Sequence, residues 1–155
     1  MPTLTKWETE DSVLLMPGTE DSDTDLKDIH TTEGVLSAAV DNRDGHQYIE
    51  FLLSAHLDAA AASYVNMWML KSIDGGTIYE SGAVASRAIT VPARPADHAF
   101  PLFSSADQQH VASPKFLAPS CHFKVLIQWV AGNADANNSQ NMLRYQFSND
   151  EAQTA

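Results

Sequence analysis

YIEFLLSAHL at residues 48–57 and HFKVLIQWV at residues 122–130 are the stretches that decide the fold. In the first, every odd position is apolar, and the even positions are mostly polar or amphipathic. In the second, Phe123, Val125 and Ile127 share one face of the pattern. Alternation with a period of two predicts strands with one face against a core. No amphipathic helix of comparable length competes with it.

The stretches between these two segments extend the same pattern. Residues 64–71 (YVNMWMLK) are aromatic and mixed, which predicts a strand covered on both faces. Asp74, Gly75 and Gly76 favour a tight turn, and residues 77–80 then predict a hairpin. Short strands separated by turn signals roughly every 8–12 residues are typical of β-sandwiches and barrels, and we favour the sandwich. The sequence therefore predicts an all-β, antiparallel β-sandwich, jelly-roll-like in form.

Charge is unevenly distributed along the 155 residues. The first 50 residues contain twelve acidic side chains and only three basic ones, whereas the whole chain carries a net charge of −11. The change in composition lies beside Arg43-Asp44-Gly45, which favours a turn. We therefore expect an extended acidic arm with short elements over residues 1–45, a β-sandwich domain over 46–150 and a frayed tail over 151–155.

Composition also limits the classes of partner. A pI of about 4.7 and nine scattered Lys and Arg residues oppose binding to nucleic acid, which requires clustered positive charge. An anionic membrane surface is unattractive for the same reason. The chain lacks an apolar run of 18 residues, and its N-terminus lacks the pattern of a secretory signal. We expect neither nucleic acid nor membrane as a partner.

The sequence offers little for catalysis. Cys121 is the single cysteine, and His122 follows it directly. Adjacent residues on a strand point to opposite faces, so the two could not form a nucleophile–base pair within that strand. No Gly-x-Ser-x-Gly motif occurs, and Ser54-Ala55-His56 has no evident acidic partner. The sequence predicts a protein that is not an enzyme and has no cofactor.

One acidic run resembles the opening of a calcium-binding loop. Asp21, Asp23 and Asp25 have the alternate spacing of that motif, but Leu26 replaces its glycine and Thr32 its final glutamate. We interpret the run as a solvated acidic segment. A calcium ion held between subunits is the alternative.

Three segments together resemble a known group of proteins. They are WMLKSIDGGTIYESG at 68–82, VPARPADHAFPL at 91–102 and PSCHFKVLIQWV at 119–130. Their order is similar to that in small virion structural proteins of tailed bacteriophages, and the resemblance covers roughly residues 64–130. A β-propeller would need the Asp-Gly-Gly-Thr element in several repeats, and it occurs once. The resemblance implies a virion part, assembled in the host cytoplasm, either a capsid decoration (cement) protein or a tail or baseplate component.

The apolar patch in the acidic segment suggests how such a part would attach. Val13, Leu14, Leu15 and Met16 are a lone apolar run closed by Pro-Gly. We expect them to anchor the arm on a neighbouring subunit while the sandwich sits on the particle. The expected partners are copies of the same chain and other virion proteins, organised by cyclic symmetry.

A glycan- or receptor-binding module on the virion is the other function considered. Tyr64, Trp68, Tyr79 and Trp129 could provide a stacking platform, with the polar loop 133–141 as its rim. In a small sandwich such rings more often belong to the core. Exposed, coplanar rings would favour the glycan hypothesis.

Overall fold

The computed structural model describes residues 3–9, 12–18, 23–60, 63–133 and 140–154, with the backbone alone at 3–9 and 150–154. Every regular element in these ranges is a β-strand, which confirms the all-β prediction. In chain order the strands are β1 Thr3–Thr9, β2 Val13–Met16, β3 Gly34–Leu36, β4 Val40–Asp41, β5 Tyr48–Ala55, β6 Ser63–Ser72, β7 Ala83–Ala85, β8 Ala88–Thr90, β9 His98–Leu102, β10 Gln109–Ala112, β11 Phe116–Leu117, β12 His122–Trp129 and β13 Met142–Thr154.

The strands form two larger sheets and one small hairpin. The six-stranded sheet has the order β1-β13-β5-β10, with β2 also on β13 and β11 also on β5. The five-stranded sheet has the order β3-β12-β6-β9, with β4 also on β12. Strands β7 and β8 pair with each other. All pairings are antiparallel, and the arrangement is consistent with a β-sandwich.

The core lies where the alternating faces of the two sheets meet. Phe51 and Leu53 of β5 and Phe123 and Ile127 of β12 belong to one buried cluster. Burying each such side chain contributes about 2 kcal/mol of hydrophobic stabilisation. The period of two in the sequence therefore identified the inner faces of both sheets.

The middle of strand β6, from Met67 to Leu70, is buried on both faces, as its composition predicted. Val65 and Met67 enter the main core, whereas Trp68 and Leu70 form a second cluster with Leu126. Partly buried side chains cover that second cluster from outside: Leu36, Tyr79, Val84, Ile89 and Ala96. The outer layer comes from β3, the loop after β6, the β7–β8 hairpin and the segment before β9.

The acidic N-terminal segment contributes to both sheets over its described residues. Strand β2 pairs with β13, and strands β3 and β4 pair with β12. Met16, Leu26, Ile29 and Val35 are fully buried in the main core. Net charge describes the exposed side chains of a segment, whereas these apolar positions between the acids determine where it packs.

Candidate functional site

The three segments that carry the resemblance lie side by side in the five-stranded sheet. Residues 68–82 contain the end of β6 and the loop that follows it. Residues 91–102 lead into β9, and residues 119–130 contain β12. Strand β6 pairs with β12 on one side and with β9 on the other. Segments separated in sequence therefore form one continuous region, whose most exposed part is the loop at residues 73–82, called here the Asp74 loop.

The carboxylate of Asp74 organises this loop. It accepts hydrogen bonds from the hydroxyl of Ser72 at 2.6 Å and from the amides of Ile78 at 2.9 Å and Thr77 at 3.1 Å. The Ser72 hydroxyl in turn accepts the amide of Gly76 at 3.0 Å. These bonds, that from Ile78 first and that from Ser72 second, lower the pKa of Asp74 because they favour its charged form. The ionised carboxylate fixes the shape of the loop.

The two glycines of the loop adopt the conformation that a tight turn requires. Gly75 and Gly76 have φ of +80° and +93°, in the left-handed region that favours glycine. A Cβ on Gly76 would also lie 3.2 Å from Cγ of His122, so there is little room for a larger residue.

The hairpin strand predicted for residues 77–80 is absent from the described structure. Strand β6 ends at Ser72, and the next strand begins at Ala83. The reason is local, because Asp74 takes the amides that a hairpin ladder would need. Within residues 77–80, Glu80 bonds to the backbone of β6: its amide donates to the Lys71 carbonyl, and its carboxylate accepts the Lys71 amide, each at 3.0 Å.

Arg94 fastens the loop to β6 and to the segment before β9. Its guanidinium donates to Asp97 at 2.7 Å, to the Met69 carbonyl at 3.0 Å and to Glu80 at 3.3 Å. Asp97 also accepts the Met69 amide at 2.7 Å, and the Trp68 indole donates to the Arg94 carbonyl at 3.2 Å. A bridging guanidinium of this kind restrains the loop from its C-terminal side.

Two large apolar side chains project from this restrained loop. Ile73 is 96% exposed and Ile78 is 72% exposed. A groove of about 460 Å³ runs beside them, lined by Lys71, Ile73, Asp74, Ile78, Tyr79 and Glu80. Lys124 lies 4.6 Å from the centre of the Tyr79 ring at the same end. An apolar tip beside a few charged groups is suited to binding another macromolecule.

Cys121 and His122 line the same small cavity of about 170 Å³. Strand β12 begins at His122, so Cys121 directly precedes it. Among the described residues no hydrogen bond joins the thiol to the ring. The imidazole instead lies 3.5 Å from Asp41, whose pKa is held well below its usual range by hydrogen bonds from Arg43.

The described aspartates of the acidic run accept hydrogen bonds from backbone amides of the same chain. Asp23 accepts the amides of Arg87 at 2.7 Å and Ser86 at 3.1 Å. Asp25 is buried and accepts the amide of Lys27 at 2.9 Å, so this part of the run is not the solvated segment that we expected. Asp21 lies outside the described residues. Within the described ranges, no group of three or more His, Cys, Asp or Glu side chains could hold a metal ion.

The four apolar residues expected to anchor an arm lie in β2. Val13 and Leu14 are each 46% exposed, Leu15 is partly buried and Met16 is fully buried in the core of the same chain. The strand is held along β13, where the Arg144 guanidinium donates to the Ser12 carbonyl at 3.2 Å. The surface available to a partner here consists of Val13 and Leu14.

The four aromatic residues considered for glycan stacking have different environments. Trp129 is fully buried, and Trp68 is buried in the second cluster. Tyr79 is partly buried, whereas Tyr64 is exposed. The middle of the proposed rim, residues 134–139, lies outside the described residues. The two tryptophans belong to the core, as expected for a small sandwich.

Comparisons with known protein families, with curated proteins and with solved structures find no match to this chain. In the part of the chain that the structure describes, no helix has the length and apolar character needed to cross a membrane.

Proposed function

We propose that this protein is a structural component of a tailed-bacteriophage virion and that it decorates the capsid. The observation that carries the proposal is the Asp74 loop, which displays Ile73 and Ile78 at 96% and 72% exposure on a backbone fixed by hydrogen bonds. A preorganised apolar anchor loses little conformational entropy when it docks. A few such anchors provide most of the binding energy of a protein interface.

The proposal includes a jelly-roll fold, which the strand order supports. Counting β1 with β2, β3 with β4 and β10 with β11 as single strands, and leaving out the β7–β8 hairpin, gives eight strands in chain order. The first, eighth, third and sixth then form one sheet, and the second, seventh, fourth and fifth form the other. This order supports a jelly roll, a fold common among viral capsid proteins. Because one fold serves many functions, it supports the assignment without carrying it.

The proposal keeps the acidic N-terminal arm as a contact with the particle, but with fewer anchoring residues. Its expected anchor reduces to the exposed side chains Val13 and Leu14, since Met16 packs into the chain's own core. These two residues lie on an edge strand of the six-stranded sheet and would form a second contact with the particle. Repeated weak contacts in a lattice add to strong attachment.

Binding to particles tests the proposal directly. Particles of the phage that encodes the chain, assembled without it, are mixed with purified protein and sedimented. The double variant I73D/I78D should bind about tenfold more weakly or worse, because two charges would be desolvated at the contact. Leu117→Asp is the matched control, since Leu117 is 77% exposed on the other sheet. Equal binding by I73D/I78D and the wild type would contradict the role of the loop.

Separating heads from tails before sedimentation distinguishes the two locations. Binding to heads supports capsid decoration, and binding to tails supports the alternative, a tail or baseplate component. The variant V13D/L14D tests the second contact and should reduce binding less than I73D/I78D. Failure of the wild type to bind either part would overturn the virion proposal.

A further inference from the structure

The two ends of the chain form a two-stranded ribbon. Residues 3–9 pair with residues 148–154, from Thr3 opposite Thr154 to Thr9 opposite Ser148. Strand β5 stops accompanying β13 at the Ser148–Tyr48 pair, so beyond it β1 is the neighbour of β13. An isolated two-stranded ribbon is marginally stable in water. Pairing with a further strand would therefore stabilise this ribbon.

The outer edge of β1 is open to such a strand. Among the described residues, β1 pairs with β13 alone. An open edge presents a row of backbone N–H and C=O groups that another chain can pair with. A second copy of the chain brings the same edge, and twofold symmetry is the usual way for identical edges to meet.

Symmetry leaves few registers for this pairing. A twofold axis perpendicular to a sheet keeps every side chain on the same face in both copies. Because adjacent residues of a strand lie on opposite faces, the residue at the axis must stand opposite itself. Centring on Lys6 or on Glu8 places like charges against each other, which is destabilising.

Centring on Trp7 gives a complementary pairing. Lys6 of each copy then lies opposite Glu8 of the other, so two opposite-charge pairs flank the axis. Trp7 lies opposite Trp7, and Thr5 lies opposite Thr9. Opposite-charge and aromatic cross-strand pairs both stabilise antiparallel sheets.

We propose that the protein forms a twofold dimer in which β1 pairs antiparallel with β1 of a second copy, centred on Trp7. The six-stranded sheets of the two copies then continue into each other across the axis. The charges that would repel a foreign strand from this edge make it specific for its own copy. The proposal does not depend on the virion function.

Analytical ultracentrifugation of the full chain over a range of concentrations tests the dimer. Glu8→Lys would place two positive charges opposite each other on both sides of the axis, because position 8 faces Lys6 of the second copy. It should raise the dimer dissociation constant about tenfold or more. Glu8 lies opposite the uncharged Asn149 within the ribbon, so the change spares the intrachain pairing. Glu50→Lys, the same charge change on β5, is the matched control and should leave the dimer unaltered.

A charge swap then separates the interface from general effects of charge. K6E added to E8K restores opposite charges across the axis, and E151K keeps the intrachain pair between positions 6 and 151. This triple variant should dimerise like the wild type. A wild-type chain that stays monomeric at every concentration, or an E8K chain that dimerises normally, would overturn the proposal.

Crosslinking supplies a readout that does not depend on affinity. In a Cys121→Ser background, Trp7→Cys places two thiols opposite each other at the axis, and oxidation should give a disulfide-linked dimer. Thr3→Cys should not, because the two copies of residue 3 lie far apart in this register. Equal crosslinking by both variants would contradict the Trp7-centred register.

Discussion

Asp23 and Asp74 each fix a turn by accepting backbone amides, but they differ in how far they reach. The partners of Asp74 lie within four residues of it. The partners of Asp23 are Ser86 and Arg87, which lie 63 and 64 residues further along the chain. Ser86 and Arg87 have φ of +49° and +66°, as the two central residues of a mirror-image hairpin turn require. One carboxylate shapes a surface loop, whereas the other joins distant parts of the chain.

The difference shows that an aspartate that accepts backbone amides can act locally, as Asp74 does, or join distant segments, as Asp23 does. At the distant turn, Arg87 completes the connection, since its buried guanidinium donates to the carbonyls of Asp25 at 2.7 Å and Lys27 at 2.8 Å. The acidic segment is thereby held to the β7–β8 hairpin. The Asp74 carboxylate instead bonds to its own neighbours in sequence, and its loop displays Ile73 and Ile78. Stability should therefore depend on the first turn and binding on the second.

Replacing Arg87 with Met should cause the largest effect on stability. The change keeps an apolar stem but leaves the Asp25 and Lys27 carbonyls without their charged donor in a buried site. We expect the free energy of unfolding to fall by about 3 kcal/mol. Urea denaturation followed by tryptophan fluorescence measures it.

Arg43→Met is the control for this prediction, because Arg43 is an exposed arginine that pairs with Asp41. It should leave the denaturation midpoint unchanged. A loss in R87M no greater than that in R43M would show that the distant turn contributes little to folding.

Alanine at each of the two aspartates compares the turns directly. Asp23→Ala removes the acceptor of two amides that connect distant segments, and it should lower the free energy of unfolding by about 1–2 kcal/mol. Asp74→Ala should lower the free energy of unfolding by less, while hydrogen exchange at the Thr77 and Ile78 amides accelerates. Equal global losses in the two variants would contradict the separation of roles.

Much of the fold could be predicted because its signal is local. The alternation in β5 and β12 and the mixed composition of β6 identified strands and buried faces directly. The β7–β8 hairpin was harder, because its turn is Ser86-Arg87 and lacks the Asn-Gly or Asp-Gly dipeptide typical of such turns. Strand β7, which consists of Ala83, Val84 and Ala85, is also poor in strand-forming side chains.

The placement of the acidic segment and of the loop needed long-range information. Buried Leu26 and Ile29 stand among acids in the sequence, and they pack in the main core against residues far along the chain. The Asp74 turn could be predicted from Asp-Gly-Gly, but its capture of the Thr77 and Ile78 amides could not. The exposure of Ile73 and Ile78 depends on the path of this loop, so sequence reasoning missed the candidate binding surface.

The smallest effect that we predict is the pH dependence of the Asp74 loop. The pKa of Asp74 is lowered in the folded chain. Its contribution to the stability of the loop is therefore fully present above the usual aspartate pKa of 3.8. That contribution is lost as pH falls through the lower folded pKa, where the protonated carboxyl binds the Ile78 and Thr77 amides less well. An NMR titration of the Ile78 amide should therefore show a midpoint below 3.8, and Asp74→Asn should abolish the transition. A wild-type midpoint at or above that value would mean that the amides do not hold the carboxylate, and the preorganisation of Ile73 and Ile78 would lose its basis.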